Sequence, residues 1–142
     1  MIVSEIAPII TSETNYTNVE LTFHYHPEEL LVSCVKDQLK QVILNLTKNA
    51  LQAMPYGGKL SIHLDKQSDN CRITVNDNGV GMREDQISQA FNPFFTSKKA
   101  GSGLGLTVCK RIIDSYGGEI KIKSNPNQGT KVEILLPLVS QS

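Results

Sequence analysis

The segment DQLKQVILNLTKNALQAM, residues 37–54, decides the fold. Its apolar residues recur three or four positions apart, which is the spacing of one helix face: Leu39, Val42, Ile43, Leu46, Ala50 and Ala53. Asp37 is the expected N-cap, and Pro55 with Gly57-Gly58 ends the pattern near Met54. The segment is therefore predicted to form a long helix with one apolar face.

Segments on both sides of this helix alternate apolar and polar residues, which predicts half-buried strands. The predicted strands cover 19–25, 30–34, 60–64, 73–75, 120–122 and 132–136. Further helical patterns cover 3–14, 86–91 and 104–116. Because the strands come in pairs with helices between the pairs, we expect an α+β fold, a two-layer α/β sandwich with one mixed sheet and helices on one face. A doubly wound parallel sheet would need regular strand–helix alternation, which the sequence lacks.

Size and composition limit the class of protein. The 142 residues are enough for a single domain, 1–142, and too few for two. Lys plus Arg and Asp plus Glu both number 14, a balance that argues against a nucleic-acid partner. No apolar run approaches the roughly 18–20 residues of a membrane span, and the first residues lack a signal-peptide pattern. We therefore expect no membrane segment.

The three cysteines, Cys34, Cys71 and Cys109, are isolated along the chain. Because no C-x-x-C spacing occurs, a zinc site is not expected. The cysteines are interpreted as reduced thiols that act as small apolar residues, which is typical of a cytosolic protein.

Two asparagines lie on one stripe of the long helix. Asn45 and Asn49 are four residues apart, so both point the same way, although asparagine is a mediocre helix former. They are either polar residues at the edge of the core or part of a polar site. Amide oxygens are hard, neutral ligands that suit magnesium, and the neighbouring Lys48 could approach a phosphate.

The segment NDNGVGM, residues 76–82, follows a predicted strand. Asp77 stands where the strand ends, and Gly79 and Gly81 permit close approach of the backbone to a ligand. The carboxylate could accept a hydrogen bond from an exocyclic amine such as that of adenine. The alternative is a plain turn, which the Asp-Asn-Gly sequence also favours.

Two further segments lie before the helix predicted at 104–116 or run into its start. The glycines of GSGLGL, residues 101–106, would offer free backbone N–H groups to a phosphate at the start of that helix. This loop is neither a Walker A loop nor a Rossmann fingerprint. The segment FNPFF, residues 91–95, is either a lid that closes over a ligand or a buried loop anchor.

Together, in this order, these segments resemble the conserved boxes of the ATP-binding domain of sensor histidine kinases. The family shares the Bergerat fold with gyrase B, Hsp90 and MutL. The segments 45–50, 77–81, 91–95 and 101–106 are similar to its N, G1, F and G2 boxes, and Gly129-Thr130 is similar to its last glycine-threonine motif. The resemblance covers about 37–137, which is most of the chain.

The resemblance implies a role for individual residues. Asn49 would hold Mg²⁺ beside the phosphates, and both Asn45 and Asn49 would be catalytic. Asp77 would bind the adenine amine, and Lys98 would be a cation for the terminal phosphate in a lid from Phe91 to Gly103. The full set implied to bind ATP is Asn45, Lys48, Asn49, Asp77, Gly79, Gly81, Met82, Lys98, Gly101, Ser102, Gly103, Leu104, Gly105 and Thr130.

One departure distinguishes between members of the superfamily. The ATPases and the serine-kinase anti-sigma factors have a glutamate one turn before the magnesium asparagine, where it acts as a general base. Here that position is Asn45, which cannot take a proton. This departure favours a histidine kinase, because a neutral imidazole is already a nucleophile.

The resemblance also implies partners. His24, His26 and His63 lie in or beside predicted strands, so none matches a phospho-acceptor histidine on a helix. We therefore expect a catalytic domain that acts on a histidine of a separate dimerisation domain of the same kinase and is inactive in autophosphorylation alone. A response regulator would act downstream. The isolated domain is expected to be a monomer in the cytoplasm, although the parent kinase could be membrane-anchored.

Overall fold

The computed structural model of the protein describes residues 3–14, 17–89 and 103–139. A 3₁₀ helix, Val3–Ile6, leads into the first α-helix. The α-helices are α1 (Ala7–Thr14), α2 (Lys36–Gln52), α3 (Glu84–Gln89) and α4 (Gly103–Ser115). The strands are β1 (Val19–His24), β2 (Gly58–Gln67), β3 (Asn70–Asp77), β4 (Glu119–Asn125) and β5 (Gly129–Pro137).

The five strands form one mixed sheet in the order β1-β2-β3-β5-β4. β1 and β2 are parallel because α2 crosses between them, and the other neighbours are antiparallel. The two predicted hairpins, β2–β3 and β4–β5, are confirmed.

One face of the sheet carries the core. On the three inner strands the buried apolar residues alternate: Leu60, Ile62 and Leu64; Cys71, Ile73 and Val75; Val132, Ile134 and Leu136. α1 packs on α2, and α2 packs on α4. The apolar stripe of α2 is fully buried at Leu39, Val42 and Ile43. The two-layer α+β prediction, with helices on one face of a mixed sheet, is therefore confirmed.

The start of α2 differs from the sequence-based expectation. Val35, not Asp37, is the N-cap, and no side chain of the helix caps it. Instead the hydroxyl oxygen of Tyr116, just beyond α4, accepts the N–H of Val35 at 3.0 Å and donates to the Gln38 side chain. A residue distant in the chain thus supplies the cap. Asp37 lies in the first turn, where a carboxylate still suits the helix dipole.

The strand predicted at 30–34 is also wrong. Among the described residues this segment has isolated bridge positions at Leu31 and Val32; Val32 pairs with Leu138, and the N–H of Val139 donates to the Leu31 carbonyl at 2.9 Å. Leu30 and Val32 are buried, which accounts for the alternating pattern. The alternation therefore reports burial against the core without continuous strand pairing.

The remaining helices agree with the predictions within a few residues. Pro8 lies in the first turn of α1, where its missing N–H costs nothing. α3 ends at Gln89, so the rest of the helix predicted at 86–91 lies outside the described residues. α4 closes at Gly117, which has φ of 73°, and the N–H of Gly118 returns to the Ile113 carbonyl at 3.0 Å.

The part of the chain described by the structure contains no helix that is both long and apolar enough to cross a membrane. All three cysteines are free. Burial raises the pKa of the Cys71 thiol to about 12 and that of the Cys109 thiol to about 11. Burial also raises the pKa of Cys34, which is only half-buried.

The cysteines should therefore differ in reactivity. At pH 8 the native protein should be labelled by a thiol reagent first at Cys34, because Cys71 and Cys109 are buried and un-ionised. Labelling should accelerate as pH rises, because the thiolate fraction grows toward each raised pKa. Mass spectrometry of timed aliquots measures the order, and early labelling of Cys71 would contradict it.

The cap of α2 gives a second prediction. Tyr116→Phe removes the acceptor of the Val35 N–H and should lower the free energy of unfolding by about 1 kcal/mol. Urea denaturation measures the change. Tyr56→Phe is the matched control, since Tyr56 is 95% exposed and its change should leave stability unaltered. Equal stability of both variants would show that the tyrosine does not cap the helix.

Candidate functional site

A row of polar side chains crosses the sheet at one end of its helix-covered face. Asp77 of β3 pairs with Thr130 of β5, and Thr130 pairs with Ser124 of β4. Asp77 also pairs with Leu60, which is fully buried beneath the helices. Because cross-strand partners point to the same face, this row ends the apolar layer. The sheet thus presents polar groups toward the helices at one end.

Asp77 is the charged residue of this row, and it is buried, with 7% of its surface exposed. Its Oδ1 accepts the N–H of Gly79 at 2.9 Å, which is the turn that the sequence offered as the alternative to a ligand site. This bond uses one carboxylate oxygen to fix the loop. β3 ends at Asp77, as the sequence predicted.

The loop after Asp77 is packed against the end of α2. The N–H of Val80 donates to the carbonyl of Ala53, the C-cap residue, at 3.0 Å. A Cβ atom on Gly79 would lie 2.5 Å from the same carbonyl oxygen, so only glycine fits here. Gly79 is therefore required for the close packing of this loop on α2.

The other side of the loop packs against the β4–β5 turn. The N–H of Asn127 donates to the Val80 carbonyl at 2.7 Å. Gly81 has φ of 71°, and a Cβ there would lie 2.0 Å from the Asn125 carbonyl oxygen. A Cβ on Gly129 would similarly lie 2.0 Å from the Asp77 carbonyl oxygen. The loop is thus held between α2 and the last hairpin.

Ser124 is a site residue that the sequence analysis missed. Its Oγ accepts the N–H of Met82 at 2.8 Å and lies 2.9 Å from the Gly129 carbonyl and 2.8 Å from the Thr130 hydroxyl. A lone serine in a strand gives no signal in sequence. Only the register of β4 on β5 brings it beside two predicted residues, Met82 and Thr130.

The predicted asparagine pair lies on α2 in the two turns before Ala53. Asn45 and Asn49 are both half-buried, and Lys48 between them is exposed. The Asn49 carbonyl accepts the N–H of Ala53 at 3.1 Å, so Asn49 is one turn from the residue on which the 79–81 loop packs. The Asn45 amide faces α4, where its Nδ2 lies 3.9 Å from the Cys109 Sγ.

The glycine-rich segment is only partly described. α4 begins at Gly103, one residue before the predicted start of the helix, so Gly103, Leu104 and Gly105 form its first turn. The first N–H groups of a helix lack intrahelical partners and can bind an anion. The predicted residues Lys98, Gly101 and Ser102, and the lid predicted from Phe91 up to residue 102, lie outside the described residues.

The residues fit a magnesium–nucleotide complex. Asn45 and Asn49 are half-buried amides one turn apart, and neutral oxygen donors are the chemistry that Mg²⁺ prefers. The buried Asp77 carboxylate is an acceptor suited to an amine. Within the described ranges no group of three or more His, Cys, Asp or Glu could hold a metal ion.

Comparison with known proteins identifies the family. Residues 34–140 match the family described as histidine kinase-, DNA gyrase B-, and HSP90-like ATPase. The chain therefore belongs to this family. Its fold also matches the nucleotide-free catalytic domain of histidine kinase ThkA with a TM-score of 0.83 and 31% identity, covering 95% of this chain and 89% of that one.

Curated relatives point to the sensor kinases within the family. The chain is 51% identical to sporulation kinase D of Bacillus subtilis over 96% of its own length and 27% of that protein. It is 33% identical to the sensor histidine kinase ZraS of Salmonella typhimurium over 99% of its length and 30% of that protein. The chain thus spans about a third or less of these relatives. It is homologous to the ATP-binding catalytic domain of sensor histidine kinases.

The Ser124 hydroxyl provides a test of how the site is held. Ser124→Ala leaves the Met82 N–H without its acceptor, so affinity for ATP should fall by about three- to tenfold. Calorimetric titration measures the affinity. Ser61→Ala, on the uncovered face of β2, is the matched control and should bind as the unchanged protein does. A normal affinity in Ser124→Ala would show that the hydroxyl does not shape the site.

Proposed function

We propose that the chain binds ATP with Mg²⁺ and transfers the γ-phosphoryl group to a histidine on a separate dimerisation domain of the same kinase. One observation carries the proposal: the buried Asp77 carboxylate stands beside a loop that packs on the end of α2, the helix that bears Asn45 and Asn49. The Asp77 carboxylate, which can accept a hydrogen bond from an amine, and the Asn45 and Asn49 amides, whose oxygens suit magnesium, thus belong to one packed unit.

Asp77 is proposed to select adenine. Its carboxylate is an acceptor in a largely water-free position, so it suits the exocyclic amine of adenine. Guanine has a carbonyl oxygen at the corresponding position, and two facing acceptors would repel. Gly79, Gly81 and Thr130 would shape the pocket around the base, since the first two allow close backbone approach. The site should therefore prefer ATP to GTP.

Asn49, with Asn45 one turn before it, is proposed to hold the metal beside the phosphates. When bound, Mg²⁺ would neutralise charge on the terminal phosphates, which phosphoryl transfer requires. The exposed Lys48 and the first turn of α4, Gly103 to Gly105, would contribute positive potential. Lys98, Gly101 and Ser102 are proposed to close over the phosphates as part of the lid.

The surroundings of Asn45 favour a histidine acceptor over water. At the position where the related ATPases have a glutamate base, this chain has Asn45. The side-chain amide of Asn45 lies next to the Cys109 thiol. Burial raises the pKa of that thiol to about 11, so it does not act as a base near neutral pH. A neutral imidazole needs no such base, because it is already a nucleophile. Catalysis would rest on positioning and charge neutralisation.

The proposal extends to partners and compartment. The phosphoryl group would pass from the acceptor histidine to a response regulator. The whole chain, 1–142, is proposed to be one catalytic domain that is monomeric when isolated. The cytoplasm is the proposed compartment, since it supplies ATP and keeps free cysteines reduced.

Calorimetry tests nucleotide binding. We expect ATP to bind more tightly with Mg²⁺ than without it. Asp77→Asn should weaken ATP binding by more than about tenfold, because an amide N–H faces the adenine amine. Asn49→Ala should retain metal-free binding and lose the gain from Mg²⁺. Asn76→Ala is the matched control, since Asn76 adjoins Asp77 but is exposed. An unchanged ATP affinity in Asp77→Asn would contradict the adenine role.

The same preparations test transfer. With radiolabelled ATP and the dimerisation domain of the parent kinase, the chain should form acid-labile phosphohistidine, and Asn49→Ala should not. Normal transfer by Asn49→Ala would contradict its role. Steady phosphate release by the chain alone, without any acceptor domain, would instead favour an ATPase.

A further inference from the structure

The side chain of Asn45 on α2 contacts the thiol of Cys109 on α4. The Nδ2 of Asn45 lies 3.9 Å from the Cys109 Sγ, and the same sulfur lies 3.7 Å from the carbonyl oxygen of Val42. Cys109 is fully buried, whereas Asn45 is half-buried. The asparagine thus meets the core on one side and the nucleotide side of α2 on the other.

The three groups have a definite hydrogen-bond polarity. A thiol carries a single hydrogen, and the Val42 carbonyl can accept it because a carbonyl oxygen has two lone pairs. The sulfur then presents its own lone pair to Asn45, so a donor must face it. The amide nitrogen is that donor. Consequently Oδ1 of Asn45 is directed away from Cys109.

The reversed amide is less favourable. If Oδ1 faced the sulfur, the single thiol hydrogen could serve only one of two acceptors, Oδ1 and the Val42 carbonyl. The other acceptor would then face sulfur lone pairs in a contact that is at least partly shielded from water, which is costly.

We propose that Cys109 is a positioning residue that fixes the orientation of the Asn45 amide, so that its oxygen and not its nitrogen faces the bound cation. This inference rests on the proposed function. Cys109 itself touches neither nucleotide nor metal. Because it lies on the helix that begins at Gly103, it also joins the glycine-rich start of α4 to the asparagine stripe of α2.

The test measures the gain in ATP affinity that Mg²⁺ confers, by calorimetry with and without the metal. Cys109→Val preserves an apolar side chain of similar size and removes the polarity. It should reduce this gain by roughly two- to fivefold, the effect of one weak hydrogen bond. Metal-free ATP affinity, which depends on Asp77, should be unchanged. Cys109→Ser keeps both donor and acceptor and should restore at least part of the gain.

Cys71→Val is the matched control, since Cys71 is equally buried but lies on β3. It should leave the gain from Mg²⁺ unchanged. A full gain in Cys109→Val, or an equal loss in Cys71→Val, would overturn the inference. If the unchanged protein does not bind ATP, or gains nothing from Mg²⁺, the proposed function itself fails.

A second measurement does not depend on the folding of Cys109→Val. In nitrogen-15 NMR spectra of the nucleotide-free protein, the side-chain NH₂ resonances of Asn45 should shift downfield in Cys109→Ser, because a hydroxyl oxygen is a stronger acceptor than sulfur. The side-chain resonances of Asn49 should stay in place. An unmoved Asn45 amide would show that it does not donate to residue 109, and would overturn the inference.

Discussion

The close contact between the backbone of residues 77–81 and its two neighbours is the constraint on which the site depends. A Cβ on Gly79 would lie 2.5 Å from the Ala53 carbonyl oxygen on one side, and a Cβ on Gly129 would lie 2.0 Å from the Asp77 carbonyl oxygen on the other. Because nothing larger than hydrogen fits at these points, α2 and the last hairpin are held at a fixed spacing. The buried carboxylate and the asparagine stripe therefore keep their relation to each other.

Much of the fold could be predicted because its signals are local. The apolar period of residues 37–54 specified α2, and alternation specified both hairpins. The errors arose where a distant partner decides the outcome. Tyr116, distant in the chain, accepts the N–H of Val35 at the start of α2, a contact that the local sequence does not show. The segment at 30–34 has the pattern of a strand but forms isolated bridge contacts, since sequence does not show which strand a segment can pair with.

The residues of the candidate site also separate into those that the sequence could predict and those that only the folded chain brings together. Asp77, Gly79 and Gly81 could be proposed because their segment resembles a family motif in the right order with the other segments, whereas Asp-Asn-Gly alone also suits a plain turn. Ser124 and Cys109 could not, because serine in a strand and cysteine in a helix are ordinary. Their roles follow from strand register and helix packing, which are properties of the folded chain. Sequence therefore identifies residues that would touch a ligand more readily than those that hold them in place.

The parallel pairing of β1 and β2 has a consequence for folding. α2 is the crossover between these strands. Its C-terminal end contacts the loop at 79–81, which also packs against the β4–β5 turn. Such contacts link segments far apart in the chain, so they form late and slowly. Asp77 at the end of β3 pairs with Thr130 of β5, so the burial of its carboxyl group depends on the last hairpin taking its place in the sheet.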